Sequence, residues 1–353
     1  MNKGMSLQQL AAEIEKVEAG KMDYVVPTMK MEMQNGNSIL LDRGDDSREA
    51  FTVGEVAHEQ IGSRLGIPRD YYKRMRAEAP ELLDRNVNNW LKQTPERRLV
   101  RTYNGHVRAF LSDRYKPREN YALASVALPI FHQTKNLEVM SANLSERNMH
   151  IKVISHELEG EVKIGQFVKA GVCIRNSEVG LGASEISLFV YVLACMNGMI
   201  RENSMRSFHV GKRIAAGSET EIGHYSPETI EADNHAWLLQ VRDNLRYAFD
   251  RTKFDEELVK FRAAAYNMLN PSKINETIED VTKRFNLTQT DGEGILARLM
   301  VGGDYSQWGL SNAVTNLAND VVDYEKATDL EKIGGKIIDL NRDEWRQVSR
   351  LAA

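Results

Sequence analysis

The segment 171–200, GVCIRNSEVGLGASEISLFVYVLACMNGMI, decides how the chain reads. Within it Ile186, Leu188, Val190 and Val192 alternate with Ser187, Phe189, Tyr191 and Leu193, so the two sets face opposite sides of a sheet and neither side is strongly polar. The spacing predicts a central strand covered on both faces. Upstream, Arg175, Asn176, Ser177 and Glu178 lead with Gly180 and Gly182 into a connection where glycine permits positive φ or close backbone approach. Downstream, Asn197-Gly198 reads as a turn into a basic segment.

Alternation continues on the N-terminal side, at 137–142, 150–156 and 161–170, and these strands join the first to predict a mostly antiparallel sheet. Further upstream, 99–103 and 106–111 flank Asn104-Gly105, the strongest short hairpin signal in the chain. Seven basic residues crowd this hairpin and its exit: Arg97, Arg98, Arg101, Arg108, Arg114, Lys116 and Arg118, against the single acid Asp113. Tyr103, Phe110 and Tyr115 lie between them. Cations that track phosphates, with aromatic rings that stack on bases, suit a nucleic-acid single strand; a solvated strand face over core aromatics is the other reading. A second basic run follows residue 200, with Arg201, Arg206, Lys212 and Arg213.

At the N-terminal end, Ser6 and Gln9 fit a capping box for a short helix that stops at Gly20, and alternating methionines around Asn35-Gly36 predict a hairpin. Thr52 is placed to cap a second helix ending at Gly66, and Pro68 opens a third. That pair admits a helix-turn-helix with Tyr71, Lys73, Arg74 and Arg76 toward DNA, but a packed pair with a solvated basic face is favoured because Pro68 alters the turn. Beyond Pro227 the chain turns helical, with a stripe whose phase slips near Asp250 and a clean amphipathic stripe through Leu310, Ala313, Val314, Leu317, Ala318, Val321 and Val322. The organisation is therefore read as an N-terminal helical and hairpin region (1–95), an antiparallel β-rich core (96–226) and a C-terminal helical region (227–353). The fold class is α+β: a central, mostly antiparallel sheet with a basic hairpin, a small N-terminal helical part and a C-terminal helical region.

Composition bounds the chemistry. With 353 residues, 42% apolar and 27% charged, the chain has ordinary globular composition, and a net charge of −4 argues against coating nucleic acid over its whole surface while leaving room for a local basic groove. No run approaches the roughly 18 apolar residues of a membrane helix, and the first twenty residues lack a signal-peptide core, so no membrane partner and a cytoplasmic location are expected. The two cysteines, Cys173 and Cys195, sit in apolar surroundings and read as buried thiols. Phosphate-loop, dinucleotide-binding, nucleophile-elbow and HExxH patterns are missing, so no catalytic residue, cofactor or metal is assigned. His150 and His156 fall on one strand face but too far apart to chelate one ion. Glu178 and Glu185 are candidate carboxylates for a metal-dependent nuclease, without the spacing such sites need, and are otherwise exposed turn acids. Asn176, Ser177 and Glu178 either bind a ligand or neighbouring subunit, or close a β-turn on its own backbone.

The run RAFLSDRYKP (108–117), the segment 171–200 and WGLSNAVTNLAND (308–320) resemble, in that order, the phage- and plasmid-like proteins grouped as domain of unknown function 932. The resemblance spans about residues 40–325 and implies mobile-element ancestry without established catalytic residues. In architecture the chain is also similar to phage single-strand annealing proteins of the Red beta and RecT kind, which implies oligomers that hold single-stranded DNA in a basic groove without nucleotide hydrolysis. The leading expectation is therefore a homo-oligomeric, DNA-associated protein. Arg97, Arg98, Arg101, Arg108, Arg114, Lys116 and Arg118 would neutralise phosphates, Tyr103 and Phe110 would stack bases, and Arg201, Arg206, Lys212 and Arg213 would line a second wall. The alternatives are a structural or interaction protein of a mobile element, including a host-defence antagonist, and then the nuclease.

Overall fold

Two sheets of six strands, rather than one, organise the chain in a computed structural model that describes residues 4–42, 47–93, 95–201, 205–207 and 226–350. The α+β class stands. Helix α1 (Leu7–Gly20) begins at the Ser6/Gln9 capping box and is followed by β1 (Lys21–Pro27), β2 (Met31–Gln34), β3 (Ser38–Asp42) and β4 (Arg48–Val53). Three helices come next, α2 (Glu55–Arg64), α3 (Arg69–Glu78) and α4 (Pro80–Gln93), and then the hairpin β5 (Arg97–Tyr103) and β6 (His106–Ser112). The first sheet has the order β1-β5-β6-β4-β3-β2, antiparallel except for the β4–β6 pair. It thus joins strands from both sides of the expected division at 95/96, because β1 pairs along its whole length with β5. Its apolar face, with Val26, Met33, Phe51 and Val100, packs on Ile61, Tyr72, Leu83 and Val87 of the three helices. Thr52 does not cap α2. It is the penultimate residue of β4, and Gly54 occupies the cap position without a side-chain bond.

Helix α5 (Asn120–Gln133) leads to the second sheet: β7 (Leu137–Leu144), β8 (Met149–Lys163), β9 (Gln166–Asn176), β10 (Ser184–Val192), β11 (Asn197–Ile200) and β12 (Met205–Ser207). Their order is β11-β10-β9-β8-β7, all antiparallel, with β12 also on β10. The alternation predicted for β10 is real. Ile186, Val190 and Val192 join the cores on one face, while Phe189 and Tyr191 belong to the cluster on the other. The strand is interior, although β9 is the middle of the order.

Three readings of this region need correction. Residues 161–170 are not one strand, because the chain reverses at Ile164-Gly165 between β8 and β9, with Gly165 at φ 77°. Asn197-Gly198 is not a turn: both residues are buried in β11, and the reversal falls at 193–196, where Met196 takes φ 50°. Of the thiols, only Cys173 is buried; Cys195, in that reversal, is exposed.

The C-terminal region holds α6 (Pro227–Ala248), α7 (Arg251–Tyr266), α8 (Ile274–Arg284), α9 (Gln289–Gly302), α10 (Gln307–Leu317), α11 (Tyr324–Asp339) and α12 (Arg342–Ser349). The phase slip near Asp250 is a break, with Asp250 capping α7. The stripe on α10 proves not to be amphipathic, since every residue from Gln307 to Thr315 is buried and the helix is enclosed by its neighbours. Val321 and Val322 lie beyond it, and Val322 is 90% exposed. Helix α11 covers the second sheet through a buried Lys152–Glu331 ion pair, with the Lys152 ammonium 4.8 Å from the Tyr324 ring centre.

Backbone proximity fixes Gly171 in β9. A Cβ there would lie 1.8 Å from the Val153 carbonyl oxygen of β8, so the paired backbone itself must move to admit a side chain. Gly171→Ala is expected to lower unfolding free energy by about 1–3 kcal/mol through this overpacking. Gly302→Ala, with nothing within 4 Å of the added carbon, should change it by no more than about 1 kcal/mol. Urea titrations that give the two variants equal stability would contradict this placement.

Candidate functional site

The basic hairpin and the polar connection after β9 meet at one side chain. Asn104 (φ 49°) and Gly105 (φ 77°) both take left-handed conformations, as a two-residue turn whose twist matches its strands requires. The tip is pinned to β4 by the Thr52 N–H, which donates to the Gly105 carbonyl at 3.0 Å, and by contact of Thr52 Oγ1 with His106 Nδ1. Pairing then slips: Arg101 faces Ala109 and Thr102 faces Val107, which leaves Arg108 as the extra residue of a bulge. A bulge re-aims the side chains around it. Here it lets Arg108 and Arg101 reach the same residue, Glu178. Arg108 Nη2 donates to Glu178 Oε2 at 2.6 Å, and Arg101 Nη1 donates to the Glu178 carbonyl at 2.8 Å. The backbone N–H of Asn120, at the start of α5, donates to Glu178 Oε1 at 2.7 Å.

Neighbouring residues tighten the same junction. Asn176 Nδ2 donates to the Arg118 carbonyl (2.7 Å) and Asn120 Oδ1 (2.8 Å), and Ser177 Oγ donates to the Arg147 carbonyl (2.7 Å). The three polar residues therefore join separate elements instead of only closing their own turn. Arg101, 1% exposed, also donates to Asp23 (3.0 Å) and Glu119 (2.7 Å), and Glu119 lies 3.0 Å from Lys21 Nζ. Burial disfavours the Arg101 charge, but Glu119, Asp23 and Glu178 overcome it and raise its pKa. Burial likewise favours neutral Glu178, yet Arg108 and the Asn120 N–H hold its carboxyl below the ordinary value. Glu119 goes the other way: burial pushes it up to about 7, with Glu178 adding to the rise against Arg101 and Lys21.

Above this junction, between the sheets, opens a cleft of about 360 Å³. Tyr103, His106 and Arg108 of the hairpin form one side, Ser145, Arg147 and Asn148 of the β7–β8 turn form another, and Ile14 and Val17 of α1 supply apolar wall. Asn120 and Glu178 line it as well, whereas Glu119 does not. Ser145 Oγ accepts from the N–H groups of Arg147 (3.2 Å) and Asn148 (3.1 Å), which sets the turn. The cleft thus offers one half-buried aromatic ring, two arginines, neutral amides and an apolar wall, together with the carboxylates of Glu146 and of Glu178, the latter paired with Arg108. Such a surface binds and orients.

The structure redistributes the residues singled out in the sequence. Arg98 is buried against Glu96 and over the Phe110 ring (5.7 Å), and Arg118 lies over the Trp237 ring (4.9 Å) and near Asp233 (3.4 Å). Phe110 is 4% exposed in the first core, so it cannot stack on a base. Arg201 is fully buried, bound to Glu257, Asp339 and the Gly335 carbonyl, where it fastens α7 and α11 to the sheet. Arg98, Arg101, Arg118 and Arg201 are therefore corrected from phosphate contacts to internal ion partners. Arg97, Arg114 and Lys116 are exposed. Arg206 pairs through its backbone with Glu185, and its side chain, like Lys212 and Arg213, lies outside the described residues.

Glu178 and Glu185 are engaged by Arg108 and Lys332 respectively, and among the described residues no three metal-ligating side chains cluster. His150 is buried on Glu325 and His156 is exposed beside Glu138. In the α2–α3 pair, Arg69, Arg74 and Arg76 bond Glu59, Glu78 and Glu55, the packed arrangement favoured over a DNA-reading motif. Arg147 and the buried role of Glu178 escaped sequence reasoning, since neither carries a motif; the local signal was the polar Asn-Ser-Glu run beside glycines. Among the described residues no helix is long and apolar enough to cross a membrane.

The raised Glu119 value has a thermodynamic sign. Its folded value of about 7 lies above the ordinary 4.5, so the stability it contributes is complete below pH 4.5 and is lost as pH rises through 7. Between about pH 5 and 8 the wild type should lose about 1–3 kcal/mol relative to Glu119→Gln, read by urea unfolding at each pH, whereas a constant difference would contradict the assignment. Comparison of the chain with models of known families, with curated proteins and with solved structures finds no match.

Proposed function

We propose that the chain binds single-stranded nucleic acid in the cleft between its two sheets, as a DNA-associated protein of a phage or plasmid. The observation that carries this reading is the hairpin tip: a two-residue turn, a bulge and a tie to β4 hold Tyr103, His106 and Arg108 at a cleft of about 360 Å³ with Arg147 across from them. The volume falls within the roughly 300–1,000 Å³ of small-molecule sites, so the cleft admits a base and its sugar, not a duplex. Tyr103 supplies the stacking ring, and Arg147 and His106 meet the backbone at the mouth. This keeps the single-strand expectation but moves it from a broad arginine surface to one cleft. The motif resemblance supports the mobile-element setting.

Assembly into a homo-oligomer fits a separate feature. Lys163 Nζ bonds Asp304 at 2.9 Å, which brings the β8–β9 tip beside the end of α9. Of the residues on these two segments, Ile164 is 98% and Val301 90% exposed, two apolar side chains left open to a neighbouring copy. The interaction-protein reading draws on the same observation, with the cleft left unused.

Fluorescence anisotropy with a labelled oligothymidine separates the two. Binding is expected at low salt, weakening as salt rises, and Tyr103→Ala should lower affinity about 5- to 100-fold, the worth of one base stack. Arg114→Ala should change it far less. Absence of binding by the wild type at low salt, or indifference to Tyr103→Ala, would overturn the proposal.

A further inference from the structure

The mouth of the cleft does not end at Arg147. Its Nη2 donates to Glu59 Oε2 at 3.2 Å, and the other oxygen of that carboxylate accepts from Arg69 at 2.7 Å. Glu59 therefore bridges two arginines from different elements, one on the β7–β8 turn and one on α3. One turn along α2, Glu55 accepts from Arg76 at 2.6 Å. Arg69, Lys73 and Arg76 stand at i, i+4 and i+7, on one face of α3, and line a second groove of about 400 Å³ together with both glutamates. Lys73 is exposed and, among the described residues, has no ion-pair partner within 4.0 Å. Side chains of Arg69 and Arg147 are 69% and 45% exposed, so these pairs are open to exchange with solvent ions.

We propose that this groove is a phosphate track continuous with the cleft, and that Glu59 occupies it as an intramolecular stand-in for phosphate. The proposal rests on the cleft being the strand-binding site. A strand leaving the cleft passes Arg147, displaces the Glu59 carboxylate from both arginines and runs along Arg69, Lys73 and Arg76. The exchange is chemically even: carboxylate and phosphate both present paired oxygens to the planar guanidinium, and a phosphodiester carries the single negative charge that Glu59 withdraws. Within the groove three cations, Arg69, Lys73 and Arg76, face two carboxylates, Glu55 and Glu59, so the track is positive even before displacement. The ligand class is a sugar–phosphate backbone longer than the cleft accommodates, and the cations of α3 read its charge, not its sequence.

The test uses the full chain with oligothymidines of five and twenty residues and a twenty-base-pair duplex, read by anisotropy across a salt series. Glu59→Gln removes the competing charge and is expected to tighten binding of the 20-mer about 3- to 10-fold, and that of the 5-mer, which meets only the freed Arg147, by a smaller factor. Arg69→Ala with Lys73→Ala should weaken the 20-mer about 5- to 30-fold and lower the salt slope by about one to two, sparing the 5-mer. Thermal melts of each variant check folding, and should Glu59→Gln not fold, the Arg69/Lys73 variant decides alone. Equal affinity of wild type and Glu59→Gln for the 20-mer, or tighter binding of the duplex than of the single strand, would overturn the track. Failure of the wild type to bind either oligothymidine would instead remove the cleft reading and the track with it, whereas 5-mer binding with no effect of these substitutions on the 20-mer removes the track alone.

Discussion

The Glu178 carboxylate is the point on which the two halves of the molecule depend. It belongs to the connection between two strands of the second sheet, yet it is satisfied by Arg108 of the first sheet and by the backbone of α5, while its carbonyl takes Arg101. The side chain is 4% exposed. A carboxylate so deep persists as a charge only because it is paired and hydrogen-bonded, and removing one partner from such a pair costs about 3–5 kcal/mol. The register of the hairpin, the start of α5 and the seat of the connection are thus coupled: none shifts without leaving a buried charge. The cleft exists because this junction holds the sheets together below it.

Local features were legible in the sequence. The Asn104-Gly105 turn, the Ser6 cap, the break at Asp250 and the two-faced alternation of β10 each arise from interactions within a few residues, and each stands where the pattern puts it. Division into two sheets was not legible, because β1 pairs with β5 from Pro27 with Arg97 to Lys21 with Tyr103, far apart in the chain, and no local pattern records that choice. Asn197-Gly198 misled because its turn-forming chemistry is overridden by burial: Asn197 Nδ2 donates to Thr315, and Gly198 lets the Phe189 ring approach. The α10 stripe misled for a related reason. Its polar residues Ser311 and Thr315 find buried partners, so the helix needs no solvent face.

The same limit explains the basic run. A cluster of arginines within about twenty residues reads as an anion surface only while their partners are unseen. Those partners, Asp23, Glu119, Glu178 and Asp233, come from up to 115 positions away, as Glu257 and Asp339 do for the separate Arg201, and their acidity was already present in the net charge of −4. What lines the cleft from the candidate site is Tyr103, with Arg108 committed to Glu178 at its edge, joined by His106, Ser145, Arg147 and Asn148, which sequence spacing could not bring together. Stability and binding are therefore divided among residues of one type: buried arginines fix the junction, and exposed ones at its rim remain for a ligand.

Amide hydrogen–deuterium exchange with and without a saturating oligothymidine tests the central claim, that the cleft between the sheets is where the strand lies. The account predicts added protection at 103–108 and 144–148, with the C-terminal helices α8, α9 and α12 unchanged. Protection confined to other surfaces, or none at 103–108 and 144–148 while the oligonucleotide is bound, would contradict it.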